Sequence, residues 1–287
     1  MDKDVLLSIL KRANFSSKFI QYIKQNFPSD YRRRKQSPFV ENYLENPLLE
    51  ESAYERMMES LAQLLHLKQL YQEKDIPLVH LYKSIYDVNY RINRYFKQEG
   101  VYGLSERDIR WLTPIYRAEI FDLVSLRFQI SHFSYAEIER SRHEYMPLSE
   151  KWKKKIPEGT PIITIHIMKN ADISPEKVKA SFQQAVQFFE NYFPEHEFDL
   201  FVCRTWLLYE GLQDLLPKRS NIISFAKNFT IIASNRNAKQ ALERIYGTSN
   251  LKEIKQLKKS SSLEKLAYKN LDRIGEAAGI IDKSTIM

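Results

Sequence analysis

The spacing of apolar residues divides the chain into a helical first part and a mixed second part, with the change near residue 120. Before that point apolar residues recur every three or four positions, which is the period of an amphipathic helix. We predict helices over residues 5–13, 20–27, 54–65, 78–92 and 109–115. The stretch 28–47 contains three prolines and the basic run Arg32–Lys35, so it predicts a loop.

The second part combines strand patterns with helix signals. Apolar and polar residues alternate over 123–130 and 162–168, and residues 198–207 are apolar on both faces, which is typical of a central strand. Ser174, Pro175 and Glu176 form a helix start, and we expect helix 174–193 to cross between two parallel strands. A further strand is predicted over 229–233 and a last helix over 263–278. The expected fold class is α/β (α+β), a mixed sheet with flanking helices.

Composition removes several classes of function. The chain has seven glycines in 287 residues, and they form neither G-x-G-x-x-G nor G-x-x-x-x-G-K-[ST], which argues against ordinary dinucleotide-binding and P-loop proteins. The single cysteine, Cys203, makes neither an internal disulfide nor a Cys-rich zinc site, and the six histidines show no metal-binding spacing. No apolar run approaches the roughly 20 residues of a membrane span, and the first residues lack a signal-peptide pattern. We therefore expect a cytoplasmic, metal-free protein.

The net charge of +8 is concentrated in the second part of the chain. Residues 151–287 contain 22 Lys and Arg against 15 Asp and Glu, with lysine-rich runs at 151–155 and 252–259. Such a basic part can attract a polyanion, but it is more often a solvated lysine-rich surface. Because no nucleic-acid reader motif accompanies the charge, nucleic acid is not an expected partner.

Several stretches of the second part resemble a bacterial family of predicted acyltransferases related to the GNAT superfamily. The resemblance depends on Ile165–Ile167, Ser174–Glu176 with Ser181, Phe201–Leu208, Leu216–Pro217 and Ser220–Ile222. It implies a helical N-terminal acyltransferase-type domain over 1–122 and a GNAT-like C-terminal domain over 123–287. It also implies transfer of an acetyl or other acyl group from acyl-CoA to a small-molecule amine, without a metal.

The resemblance also implies where the donor binds. GNAT enzymes hold acetyl-CoA in a splayed gap between two central parallel strands, with the pyrophosphate on backbone N–H groups where a strand turns into a helix. The matching residues are Met168, Lys169, Asn170 and Ser174; the alternative is an ordinary strand-to-helix turn capped by Ser174. The family follows this strand with a glycine-rich turn, whereas residues 168–172 contain no glycine.

The remaining candidates are a possible general base, His166, and several possible pocket residues. With an ordinary pKa near 6.5, His166 suits a general base that takes the amine proton, or else it is a structural histidine hydrogen-bonded to a neighbour. Thr164 shares its strand face. Cys203, Trp206 and Asn221 are candidates for the substrate pocket, with core packing or a capping role as the alternatives.

Two functions follow from these residues. The first is an acyltransferase in which backbone N–H groups at a splayed strand polarise the thioester carbonyl, while His166 or a water accepts the proton. The second is a non-catalytic GNAT-like module that binds a small molecule or a protein, which the glycine-free turn favours.

Overall fold

The computed structural model describes residues 2–27, 52–139 and 146–286, so the loop predicted over 28–47 lies outside the described residues. The chain divides into two compact units, Met1–Asp122 and Leu123–Met287, and the boundary falls within the first β-strand. The described residues of the first unit are mostly helical. The second unit contains most of a mixed sheet and the helices that flank it.

The helices of the first unit follow the predicted apolar spacing. They are α1 (Asp2–Arg12), α2 (Ser17–Asn26), α3 (Ala53–Glu73), α4 (Leu78–Ser84), α5 (Tyr86–Glu99) and α6 (Glu106–Tyr116). Ser105 and Asp108 form a capping box that begins α6, with each side chain hydrogen-bonded to the other residue's main-chain N–H. The helix predicted over 78–92 forms as two helices that meet at Ile85.

From residue 120 onward the chain contains both strands and helices. They are β1 (Ile120–Leu123), β2 (Leu126–His132), α7 (Tyr135–Glu139), α8 (Glu150–Lys155), β3 (Pro161–His166), α9 (Pro175–Tyr192), β4 (Leu200–Thr205), α10 (Glu210–Gln213), α11 (Asn221–Ala226), β5 (Thr230–Asn235), α12 (Lys239–Tyr246), α13 (Leu251–Gln256), α14 (Ser262–Lys269) and β6 (Glu276–Asp282). Short 3₁₀ turns follow β4, α14 and β6.

The six strands form one mixed sheet in the order β1-β2-β3-β4-β6-β5. The two central strands β3 and β4 are parallel, and α9 connects them, as the sequence predicts. The pairs β2–β3, β4–β6 and β5–β6 are antiparallel. The predicted α/β (α+β) class and the central position of the strand at 198–207 are therefore confirmed.

Two predicted elements are wrong. The strand predicted over 123–130 is two strands joined by a tight turn, in which Val124 has a left-handed backbone with φ of 58° and is 45% exposed. The helix predicted over 263–278 ends at Lys269, and Glu276–Asp282 is the inner strand β6. Ala277 and Ala278 are fully buried, because both faces of this strand are covered. A strand buried on both faces has no alternating pattern, which explains why the sequence did not reveal it.

The two faces of the sheet pack against different partners. On one face Phe128 of β2 and Phe201 of β4 contact Phe182 of α9, with ring centroids 5.3–5.8 Å apart. On the other face a second apolar cluster includes Ile162 of β3 and Val202 of β4, covered by residues from α7 and the segments around it. Because side chains alternate along a strand, Thr164, His166 and Arg204 point to this second face.

Candidate functional site

The pairing between the two central parallel strands stops before either strand ends. Their pairing runs from Ile162 opposite Leu200 to Ile165 opposite Cys203. Beyond Cys203, β4 continues to pair with β6, through Thr205 opposite Ala277. On the other side β3 continues to pair with β2 as far as His166. Among the described residues, the ends of β3 and β4 are thus paired with their outer neighbours and not with each other; we call this place, where the pairing between the two strands stops, the opening.

His166 is the last residue of β3 and lies beside this opening. Its Nε2 is 2.8 Å from Oε1 of Gln129, and because a carboxamide oxygen only accepts, Nε2 carries the proton and donates it. Arg127 pairs with His166 across the sheet and is 2% exposed. Burial is the main cause that lowers the pKa of His166 to about 4, and the charges of Arg127 and Arg244 contribute to the same shift. The expectation that this ring titrates near 6.5 is therefore wrong.

Thr164, two residues before His166, has a hydroxyl that is already engaged. Its Oγ1 lies 2.7 Å from Oγ of Ser131 on β2. Gln129 is the residue directly opposite Thr164, and it reaches diagonally to His166. Thr164 therefore lies in the same row of polar side chains as His166, while Gln129 is the residue that bonds the imidazole.

The turn between β3 and α9 differs from a glycine-rich phosphate loop. Asn170 supplies the left-handed position, with φ of 68°, and Met168 O accepts the N–H of Ala171. Lys169 is exposed. Such a turn normally uses glycine at the left-handed position, but asparagine also adopts this conformation. The missing glycine signature therefore does not prevent the chain from turning here.

The start of α9 is not capped as the sequence suggests. Ser174 gives no side-chain cap; instead the carboxylate of Asp172 accepts the main-chain N–H of Ser174 at 3.0 Å. The hydrogen bonds from the backbone and then the side chain of Ser174 lower the pKa of Asp172. An anion at this position is favoured by the positive end of the helix. Asp172 thus places its own negative charge at this end of α9.

The other three pocket candidates have surroundings that differ from those of His166. Cys203 is 1% exposed and points to the α9 face, opposite to His166, and burial raises the pKa of its thiol. Asn221 is exposed at the first residue of α11, and the helix is capped by Ser220, whose hydroxyl accepts the N–H of Ile222. Trp206 packs with Leu207, Leu212 and other residues in a separate apolar cluster after β4. Of the pocket candidates, the structure brings Thr164 to His166.

Sequence reasoning missed the polar residues that surround the end of β4. Glu276 of β6 is 5% exposed and forms an ion pair of 2.8 Å with Arg204. Gln240 of α12 donates to Glu276 and accepts the main-chain N–H of Trp206. The available signal was a single acidic residue in the apolar run 274–281, but the helix predicted there hid its meaning.

The described residues contain no group of three or more His, Cys, Asp or Glu side chains that could hold a metal ion. Within the same ranges, no helix has the length and apolar character needed to cross a membrane.

This chain is similar to one protein family and to several solved structures. The family model described as GNAT-like C-terminal domain matches residues 120–281. No curated protein matches the sequence at a significant level. Among solved structures, an acyltransferase in complex with decanoyl-CoA and teicoplanin is 19% identical with a TM-score of 0.70, over 96% of this chain and 86% of that chain. An acyltransferase mutant in complex with octanoyl-CoA is 18% identical with the same TM-score and coverage. At this identity the two structures show a shared fold.

Proposed function

Because the chain belongs to the GNAT-like C-terminal domain family, we propose that it is an acyltransferase that moves an acyl group from acyl-CoA to an amine. The observation that carries the proposal is the opening between the parallel strands β3 and β4, with the neutral ring of His166 beside it. Two structures that share the fold are described as acyltransferases with bound decanoyl-CoA or octanoyl-CoA, which supports the same donor class here.

Main-chain groups in the opening suit the pantetheine arm and the thioester of the donor. Past Cys203, β4 no longer pairs with β3, and we propose that the pantetheine arm of the donor lies along this part of β4. An N–H group aimed at the thioester oxygen stabilises the negative charge that develops there. No metal is needed for this step.

The phosphates of the donor fit the turn between β3 and α9. Here Lys169 supplies a positive charge, Asn170 a side-chain amide, and the first turn of α9 its N–H groups. Asp172 opposes this binding, so we propose that its carboxylate turns away from Ser174 when the phosphates bind. Met168 and Ser174 are proposed to contribute backbone groups at the two ends of the turn.

His166 is proposed to accept the proton in the chemical step. The amine nitrogen attacks the thioester carbonyl carbon, the N–C bond forms and the C–S bond breaks. Coenzyme A leaves as a thiolate and becomes the thiol when it takes up the proton that the amine has lost through His166. Because Nε2 of His166 donates to Gln129, Nδ1 is the nitrogen that can take the proton from the amine. A ring with a pKa of about 4 is neutral at pH 7 and therefore in its accepting form, although it is a weak base.

The remaining assignments rest on the same family. We propose that the unit before residue 122 acts as the helical acyltransferase-type domain, that the acceptor is a small-molecule amine, and that the protein is cytoplasmic. Ile167 and Ile173, from the turn after β3, pack with the apolar cluster of Trp206. This apolar surface beside the opening supports an acyl chain longer than acetyl.

The experiment that tests the proposal is calorimetric titration of the protein with coenzyme A, acetyl-CoA, octanoyl-CoA and decanoyl-CoA. We expect saturable binding that tightens from acetyl to octanoyl, together with slower hydrogen exchange in residues 162–177 and 203–207. At 100 times the dissociation constant, a ligand should stabilise the fold by about 2.7 kcal/mol. No binding of any donor would overturn the proposal.

A specific observation favours the second function, a non-catalytic binding module. Asp172 occupies the end of α9 where the pyrophosphate is expected, and the turn lacks glycine. If acyl-CoA binds but no amine ever accelerates thiol release, the chain is a binding module that has kept the fold of the family.

A further inference from the structure

Glu276 is a buried carboxylate whose position is fixed by its neighbours along β6. The preceding residue, Gly275, passes so close to β5 that a Cβ atom there would lie 2.1 Å from the main-chain oxygen of Asn235. Asn235 pairs with Glu276 in the sheet. Because the backbone of β6 has no room to shift at this point, the carboxylate of Glu276 is held on the same face as Arg204.

Two side chains meet at this carboxylate. Arg204 Nε lies 2.8 Å from Oε1 of Glu276, and Nε2 of Gln240 donates to the same oxygen at 3.0 Å. Arg204 reaches Glu276 across Ala278, its partner in the β4–β6 register, whose small side chain leaves room for the guanidinium. Arg204 Nη1 also donates to the main-chain oxygen of Glu137. The carboxylate therefore ties β4 to β6 and to α12.

The same glutamine also binds the main chain where β4 ends. Oε1 of Gln240 accepts the N–H of Trp206 at 2.9 Å, while its Nε2 donates to Glu276. This pattern fixes both ends of the carboxamide and leaves one orientation that satisfies both partners. Trp206 follows the last residue of β4, beyond the point where β4 stops pairing with β3.

We propose that Gln240, Glu276 and Arg204 form a positioning network that holds the end of β4 against β6 and α12, and so keeps the opening toward β3 in a shape that receives acyl-CoA. None of the three is assigned a role in bond making. The inference rests on the proposed function, because it names the residues that prepare the donor site. Without the network, the N–H of Trp206 loses its acceptor and the segment that follows Thr205 becomes less ordered, so the ligand must order this segment on binding.

The test replaces Gln240 by Met, which keeps the length of the side chain and removes both hydrogen bonds. Loss of a hydrogen bond of ordinary strength corresponds to a change of about 5- to 10-fold in an equilibrium constant. We expect Gln240→Met to raise the dissociation constant of octanoyl-CoA by this factor, and to raise KM for the donor with kcat changed less than 2-fold. The amide of Trp206 should exchange its hydrogen faster in the variant, with or without ligand.

Two further variants separate positioning from general stability. Ser261→Ala removes the cap of α14, which lies outside the network, and costs a similar amount of stability without changing donor affinity. Gln240→Glu places a second carboxylate beside Glu276 and should weaken binding further. The exchanged pair Gln240→Glu with Glu276→Gln restores one carboxylate and one carboxamide, and we expect it to recover at least half of the lost affinity.

The outcomes distinguish the two proposals. If the unmodified protein binds no donor, the proposed function fails, while the exchange rate of the Trp206 amide still tests the network. If the unmodified protein binds donor and Gln240→Met binds it equally well, the positioning role is wrong. An equal loss of affinity in Ser261→Ala would also overturn it, because stability alone would then explain the effect.

Discussion

The depressed pKa of His166 predicts that the second unit loses stability between pH 7 and pH 5. The ring has a pKa of about 4 in the folded protein against 6.5 in the unfolded chain. Between these two pKa values His166 is protonated in the unfolded state and neutral in the folded state. Its contribution to the free energy of unfolding is therefore fully present above pH 6.5 and is lost as the pH falls toward 4. With these two pKa values the loss from pH 7 to pH 5 is about 2 kcal/mol. His166→Gln has no such group and should lack this component.

The assay compares the unmodified protein with His166→Gln by urea denaturation at pH 7 and pH 5, read from hydrogen exchange in the β4 peptide so that the second unit is followed alone. Subtracting the variant cancels the other groups, including His80, whose pKa burial also lowers. We expect the unmodified protein to lose about 1–2 kcal/mol more than the variant. Identical losses would refute the reasoning, because they would mean that His166 keeps an ordinary pKa in the fold.

Four further predictions follow from single residues. Cys203→Ala should keep at least half of the transfer rate, since the thiol is buried with a raised pKa; a loss above 10-fold contradicts this. Gly275→Ala should destabilise the fold by about 3 kcal/mol in thermal unfolding because its Cβ would collide with Asn235 O, and an unchanged melting temperature contradicts it. Lys169→Ala should weaken coenzyme A binding about 3-fold at low salt, with less effect at high salt. Asp172→Asn should strengthen that binding, and equal affinities in calorimetry would exclude both residues from the phosphate site.

The strand–helix–strand unit at the centre of the second unit was predictable because local and long-range signals agree there. The pattern at 162–168 predicts a strand, Ser174–Glu176 predicts the start of α9, and Pro194 predicts its end. Parallel strands require such a crossover, so the pairing of β3 with β4 follows from the same residues. The capped start of α6 at Ser105 was predictable for the same reason.

Strand β6 was missed because its residues give no period. Small and branched apolar residues from Ile274 to Ile281 suit a buried strand as well as a buried helix, and the preceding helical pattern extends up to them. The turn at Val124 was missed because a valine rarely adopts a left-handed backbone, so the alternation seemed to continue through it. Both errors come from local patterns that the tertiary packing overrides.

For the candidate residues, the sequence predicts where they lie in the fold but not their electrostatics. His166 and Lys169 follow from the order of strand, turn and helix. The pKa of His166 depends on its burial and on Arg127 and Arg244, which lie far away in sequence and meet it through the sheet register and through α12. Glu276 joins this region only because β6 inserts between β4 and β5. No local pattern in the sequence predicts contacts between residues that lie this far apart along the chain.

Acyl transfer by this protein is measured most directly with octanoyl-CoA and a library of small amines. Mass spectrometry follows the formation of the amide, and the release of free thiol is measured in the same reaction. We expect an acylated amine in equal amount to the thiol. In His166→Gln the rate should be about 10²-fold lower, which is the lower end of the range for loss of a general base, because the ring is a weak base. The rate of the unmodified protein should change little between pH 6 and pH 8 through His166, which is neutral over that range. Intact octanoyl-CoA with every amine, under conditions where the donor is bound, would contradict the claim that this protein is an acyltransferase.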